Sequence, residues 1–201
     1  MTNSPSSPLA DAALDQLFRD ARSFSHWTDE PVSDVTFKAV YELARMGPTA
    51  ANGSPARFVF LKSDEAKERL KPHLIESNVD KVMTSAATVI IAHDVEFFEK
   101  IPQLFPHNPG ARDWYSGSAE HAELNAFRNG SLQGAYLMLA ARSLGLDCGP
   151  MSGFNNQGVD EEFFAGTTSR SNFICALGHG KRDKLHDRGP RLSFDEACQL
   201  L

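Results

Sequence analysis

Four short stretches of this sequence set polar or basic residues in turns rather than on helix faces. Arg22-Ser23-Phe24-Ser25 joins a guanidinium fork to two hydroxyls, a suitable clamp for a phosphate. The same residues would equally suit a solvated helix C-terminus. Pro48-Thr49-Ala50-Ala51-Asn52-Gly53-Ser54-Pro55-Ala56-Arg57 brackets small residues between prolines. That composition gives a rigid turn whose backbone can approach a flat ligand, and Asn52 can both donate to and accept from a heterocycle edge. An ordinary turn also explains it, since Pro, Asn and Gly punctuate turns generally. Gly149-Pro150-Met151-Ser152-Gly153-Phe154 offers backbone N–H groups in a further turn, and Arg188-Gly189-Pro190-Arg191 is a basic loop before the last helix.

Other chemistries lack their residues. There is no G-x-x-x-x-G-K-[ST], no G-x-G-x-x-G between a strand and a helix, and no G-x-S-x-G elbow. His93, His107, His121 and His179 are scattered without H-x-x-x-H spacing, so they read as surface or hydrogen-bonded histidines and no metal site is expected. Asp29-Glu30 and Glu161-Glu162 sit beside helix starts, where acids are expected anyway. Cys148, Cys175 and Cys198 are odd in number and form no C-x-x-C, which points to a reducing compartment rather than a disulfide framework. The net charge of −6 argues against nucleic acid or an anionic membrane as the main partner, while leaving room for a local basic pocket. No apolar run approaches a membrane span, and a cytoplasmic protein is expected.

At 201 residues, 41% of them apolar, the chain suits one domain with its own core. Residues 1–8, rich in Ser and Pro, read as a disordered tail, and 9–201 as the single domain. Apolar spacing predicts helices at about 11–21, from Ser33 to Gly47, and from Ser63 to about Lys71. The longest runs from about Ala119 to Leu144, where Phe127, Ser131, Ala135 and Leu139, with Gly130, Gly134, Ala140 and Ala141, give a face for close packing. Arg57–Lys62, Thr88–Ala92 and Asn172–Leu177 read as strands, and Ser193-x-x-Glu196 is a capping box. Strict β-α-β alternation is absent, so the expected class is α+β, a small central mixed sheet surrounded by helices.

Taken in register, the four turns resemble the nitroreductase-like family of FMN-dependent proteins, over almost the whole chain from about Leu9 to Leu201. The carrying motifs are Arg22-Ser23 before Trp27-Thr28-Asp29-Glu30-Pro31, the P-[ST]-x-x-N-x-x-P of Pro48 to Pro55, Pro150-Met151-Ser152-Gly153, and Arg191. The resemblance implies a homodimer with extended termini and FMN at the interface, with NADPH or NADH as hydride donor. Arg22, Ser23 and Arg191 would hold the phosphate and ribityl end. Pro48, Thr49, Ala50 and Asn52 would come from the other subunit, and Pro150, Met151, Ser152 and Gly153 would lie against the isoalloxazine. Asn78 and Lys81 match an Asn-x-x-Lys pattern near the flavin pyrimidine and the nicotinamide. Ser25 stands where some members carry a lysine at the flavin N1/O2 edge, and Ala21 where many carry a second arginine. Ser54-Pro55-Ala56 replaces the usual Gln-Pro-Trp, which reshapes the pocket.

Those departures, with Trp27–Asp34, Leu104–His107, Ala126–Asn129, Leu144–Phe154 and Pro190–Cys198, are similar to the malonic semialdehyde reductase subgroup of pyrimidine utilisation. That resemblance implies ping-pong hydride transfer through flavin N5, giving 3-hydroxypropionate. Lys81, Arg112 or Arg128 could meet the substrate carboxylate. Trp114 and Tyr115, in the Pro-containing segment 94–118, would form a lid or pack the dimer. The alternatives are a general nitroreductase or flavin reductase acting on nitro compounds or quinones, and a non-catalytic flavin-binding protein.

Overall fold

Runs of β-branched and aromatic residues build the sheet. The computed structural model describes residues 7–201, so most of the tail expected at 1–8 lies outside the described residues. Strands β1 (Ala56–Leu61), β2 (Ala87–Asp94), β3 (Asp147–Met151) and β4 (Ser169–Gly178) lie in the order β1-β2-β4-β3. Every neighbouring pair is antiparallel, and the parallel pairing that a mixed sheet requires is confined to one isolated bridge, Ser23 with Cys148. A continuous apolar strand such as β2 signals burial on both faces, which usually accompanies parallel sheets; it does not set strand direction.

Both faces are covered. Val89 and Ile91 of β2 point into one core with Val40, Leu137 and Leu177; Ile90 and Ala92 point into the other with Phe24, Trp27, Leu70 and Val82. The first core is closed by α2 (Asp34–Ala44) and the C-terminal half of the 25-residue helix α7 (Ala119–Ser143). The second is closed by α3 (Asp64–Leu70), α4 (Glu76–Met83) and α8 (Asn156–Phe163). The expected single packing face of α7 is in fact two. Gly130 and Gly134 face the sheet, where a Cβ would come to 3.0 Å from that of His93 and 2.5 Å from the Phe173 ring. Phe127 and Ala135 face outward.

Three local expectations change. The first helix is α-helical only over α1 (Asp11–Leu14) and continues as a wider, π-helical turn to Arg19. Residues 147–151 form β3 where a turn was predicted. As the sheet's edge strand, with β4 as its one strand neighbour, it tolerates Pro150. Helix α4, which carries only Asn78 and Val82 as buried residues, has too thin an apolar stripe to read from sequence. The segment after β2 folds into short turns and two brief helices, α5 (Ile101–Leu104) and α6 (Asp113–Ser116), around a third core of Phe97, Ile101, Ala111, Tyr115, Ala122 and Ala126. Ser193 caps the last helix, α9 (Phe194–Ala197), through the predicted capping box.

Candidate functional site

The chain leaving the first helix lies alongside β3. The Phe24 N–H donates to the Cys148 carbonyl at 3.0 Å, and Ser23 bridges to Cys148. This places Arg22 and Ser23 on a cavity of roughly 490 Å³ that Arg188 and Arg191 also line. Arg142, from the last turn of α7, lines it as well, beside Ala21. These four arginines bond only to neutral backbone carbonyls. Arg22 donates to His186, Arg188 to Arg19 (2.5 Å) and Ala21 (2.8 Å), Arg191 to Gly189 and Pro190 (3.0 Å each), and Arg142 to Leu17 (3.3 Å). None has a carboxylate partner among the described residues, whereas Arg19, Arg45, Arg57, Arg69, Arg112 and Arg170 all do. Four uncompensated guanidinium groups around one cavity, in a chain of net charge −6, make a site for a dianion.

Next to this cavity is a tightly packed platform. Trp27 Nε1 donates to the Lys81 carbonyl at 2.9 Å, which joins segment 22–27 to α4. Gly149 of β3 lies against both: a Cβ there would come to 2.4 Å from the Phe24 carbonyl oxygen and 3.3 Å from Lys81 Cδ. Asn78 Nδ2 donates to the Gly153 carbonyl at 3.0 Å and the Ile75 N–H to the same oxygen at 3.2 Å, which pins the end of β3 to α4. The expected residues Arg22, Ser23, Asn78, Lys81, Pro150, Met151, Ser152 and Gly153 are therefore on connected elements, with Ser25 exposed beside them. Burial pushes the pKa of Lys81 down, and its ammonium forms no ion pair among the described residues.

The turn at 48–52 belongs to a different neighbourhood. The Ala50 N–H donates to Asn129 Oδ1 at 2.9 Å, Asn52 Nδ2 to the Leu104 carbonyl at 2.8 Å, and the Ser54 N–H to Thr49 Oγ1 at 3.0 Å. None of its hydrogen bonds reaches segment 22–27 or 148–153. Ala51 (φ 50°), Asn52 (φ 50°) and Ser54 (φ 43°) are held in the left-handed region, which L-residues adopt at a cost of about 1–2 kcal/mol each. Such strain persists where surrounding structure over-determines it, and it clusters at ligand-binding sites. Here α7, through Asn129, and α5, through Leu104, impose it.

The three candidate substrate cations differ. Arg112 is committed to Glu99 (3.0 and 2.5 Å) and Asp113 (3.2 Å), over the Phe98 ring. Arg128 is exposed on the outward face of α7 without an ion pair among the described residues, and Lys81 is described above. Trp114 is exposed, while Tyr115 is buried, edge-on to Phe97 and stacked on His121. Sequence reasoning missed Arg142 and Lys67, and it named Asn129 only as the end of the Ala126–Asn129 motif, without a role in the site. Arg142 reads as an ordinary residue of a long helix. Lys67 reads as part of a charged surface helix, yet it is 4% exposed and its Nζ donates to the Ser85 (2.5 Å) and Met83 (3.4 Å) carbonyls at the end of α4.

Comparisons with known proteins bear on the family and the fold. The Nitroreductase family model matches residues 18–181. A Cupriavidus pinatubonensis protein, named among the NADH dehydrogenases/NAD(P)H nitroreductases, is 53% identical over 189 residues, covering 93% of this chain and 96% of the relative. HadB of Ralstonia pickettii, named in the same way, is 52% identical over 193 residues, covering 95% and 98%. Among solved structures, an Exiguobacterium sibiricum protein described as a nitroreductase in complex with FMN superposes with a TM-score of 0.85 at 19% identity, covering 97% of this chain and 99% of that one. At that identity the likeness speaks for the fold, and the family model with the two close relatives speaks for the lineage. This chain belongs to the nitroreductase family.

Proposed function

We propose that the chain is an FMN-dependent NAD(P)H oxidoreductase that works as a homodimer and reduces malonic semialdehyde to 3-hydroxypropionate. The observation that carries the cofactor reading is the arginine-lined cavity without carboxylates, continuous through segment 22–27 with the β3–α4 platform. An anion site joined to a closely packed backbone platform suits a phosphate on an aromatic ring system. Arg22, Ser23 and Arg191 hold the phosphate and ribityl end. The backbone of Pro150 to Gly153 would back the ring, and Asn78 and Lys81 would serve its pyrimidine end and the nicotinamide. Ser25 leaves the N1/O2 edge without a cation, so the reduced, anionic ring is stabilised less than where a lysine stands. Bound FMN would supply hydride transfer from NAD(P)H to the substrate carbonyl, with solvent giving the proton that completes the alcohol.

The homodimer is supported by two features. The strained turn carrying Pro48, Thr49, Ala50 and Asn52 stands apart from the phosphate cavity within one chain, so a second copy would complete the site. The outward face of α7 carries Leu124, Phe127, Leu132 and Tyr136 at 39–51% exposure, an apolar surface that a partner would cover. With Arg112 neutralised by Glu99, Lys81 and Arg128 remain as partners for a substrate carboxylate.

The aldehyde specificity rests on the subgroup motifs alone. A general nitroreductase is the second reading, favoured by the nitroreductase names of both relatives. Purified holoenzyme is reduced anaerobically with NADPH or NADH, and the rate of reoxidation is followed with malonic semialdehyde and with a nitroaromatic. A higher kcat/KM on the aldehyde is expected. Clearly faster turnover of the nitro compound would replace the first reading by the second, and a flavin band that never bleaches would exclude both.

A further inference from the structure

We propose that Arg142 is a phosphate-binding residue that delivers, from the C-terminal turn of α7, the positive charge that position 21 lacks. This rests on the FMN reading above and extends its phosphate site to an element outside the four turns.

Ala21 and Arg142 line the same cavity. The methyl group of Ala21 adds no charge, and its carbonyl accepts a hydrogen bond from Arg188 at 2.8 Å. Arg142 is held at its base: Gln16 Nε2 donates to the Arg142 carbonyl at 2.7 Å, and Arg142 Nη1 donates to the Leu17 carbonyl at 3.3 Å. The guanidinium is thus anchored to the first helix while the rest of its donor edge is left over. Its Nε is buried and has no hydrogen-bond partner. Unpaired buried N–H groups are rare in folded proteins, because each forgoes its hydration without replacement. On the other side of Arg142, a second cavity is lined by Asp20, Asp147 and Arg182, yet neither aspartate forms an ion pair with Arg142. Asp147 instead accepts the Gly180 N–H at 2.9 Å.

A cation in the last turn of a helix is common for dipole reasons alone. That role accounts for the residue type. It does not account for a guanidinium turned to a cavity with three other arginines, lacking a carboxylate and leaving a buried donor unpaired. A phosphate oxygen in the cavity supplies the missing anionic partner, since it accepts several charge-assisted hydrogen bonds at once.

The test uses the full-length chain freed of flavin and dialysed to equilibrium against FMN or riboflavin, which differ only in the phosphate. Arg142→Met is expected to weaken FMN binding about tenfold to a hundredfold, the loss of one charge-assisted hydrogen bond, and to leave riboflavin within about twofold. The double variant Ala21→Arg/Arg142→Met, which moves the charge to the loop, is expected to recover most of the loss. If Arg142→Met does not fold, Arg142→Gln gives the same reading with less disturbance at the helix end. A wild-type FMN-to-riboflavin affinity ratio in the Arg142 variant, with wild type itself preferring FMN, would overturn this inference alone. A single-variant loss that Ala21→Arg does not repair would overturn the relocation of charge. Wild-type protein that binds FMN no better than riboflavin would overturn the phosphate site as a whole.

Discussion

Replacing Gly149 by alanine tests the platform where three elements meet. A Cβ at this position would lie 2.4 Å from the Phe24 carbonyl oxygen, 3.1 Å from the Trp27 ring and 3.3 Å from Lys81 Cδ. The first contact is about 0.6 Å inside the closest approach that Cβ atoms make, and it is to backbone, which cannot rotate away. Segment 22–27 is itself tied to β3 by the Phe24 N–H and to α4 by Trp27 Nε1, so relief in one direction strains the other. Overpacking of this kind costs about 1–3 kcal/mol, and the backbone contact puts Gly149→Ala in the upper half of that range. For a chain of this length, that lowers Tm by about 4–12 °C. Gly117, which has nothing within 4 Å of a built Cβ, supplies the control. Thermal melts of flavin-free wild type, Gly149→Ala and Gly117→Ala make the comparison, with flavin content after gel filtration as the functional readout. Gly117→Ala should melt at or slightly above wild type. A Gly149→Ala protein that melts within about 2 °C of wild type would refute the close approach of segment 22–27 to β3.

Arg22→Ala removes a charge-assisted donor from the phosphate cavity and should weaken FMN binding about tenfold to a hundredfold without affecting riboflavin; unchanged FMN affinity removes Arg22 from the site. Ala51→Gly relieves a left-handed residue, worth about 1–2 kcal/mol, against about 0.5–1 kcal/mol of added chain entropy, so a slightly higher melting temperature is expected and a lower one contradicts the strain. Burial holds the pKa of Lys67 below its ordinary 10.5, so the unfolded chain binds this proton more tightly than the folded one. The penalty is fully present below the lowered folded value and fades as pH rises towards 10.5. Denaturant melts should therefore show stability relative to Lys67→Met rising over that alkaline range, and parallel pH profiles would speak against a buried ammonium. Leu132→Glu puts a charge on the outward face of α7 and should give a monomer by light scattering together with loss of flavin; a flavin-loaded dimer would show that this face is not the interface.

The sequence alone determined much of this protein, because the relevant signals are local. β2 declares itself through a β-branched run and β4 through the apolar stretch Phe173 to Leu177, the capping box through Ser193 and Glu196, and the site turns through arginines, prolines and glycines that have no helix face to occupy. Residues three or four apart in a helix, or two apart in a strand, share surroundings whatever the rest of the chain does. Tertiary structure decided what depends on partners far away in sequence. Strand direction was one such matter, and the pairing of Gly149 and Pro150 with Ala176 and Cys175 of β4, which makes a strand from turn-forming residues, was another. The division of α7 into a glycine face against the sheet and an apolar face towards solvent also required the fold. So did the surroundings of Lys67 and Arg142, which in sequence are ordinary helix cations. A side chain's charge is written in the chain, but whether a carboxylate, a carbonyl or a cavity faces it depends on segments well beyond its own helix. Arg142 shows this most directly: its cavity is built from residues 18–23 and 188–191, and no spacing within the sequence brings those segments to the end of α7.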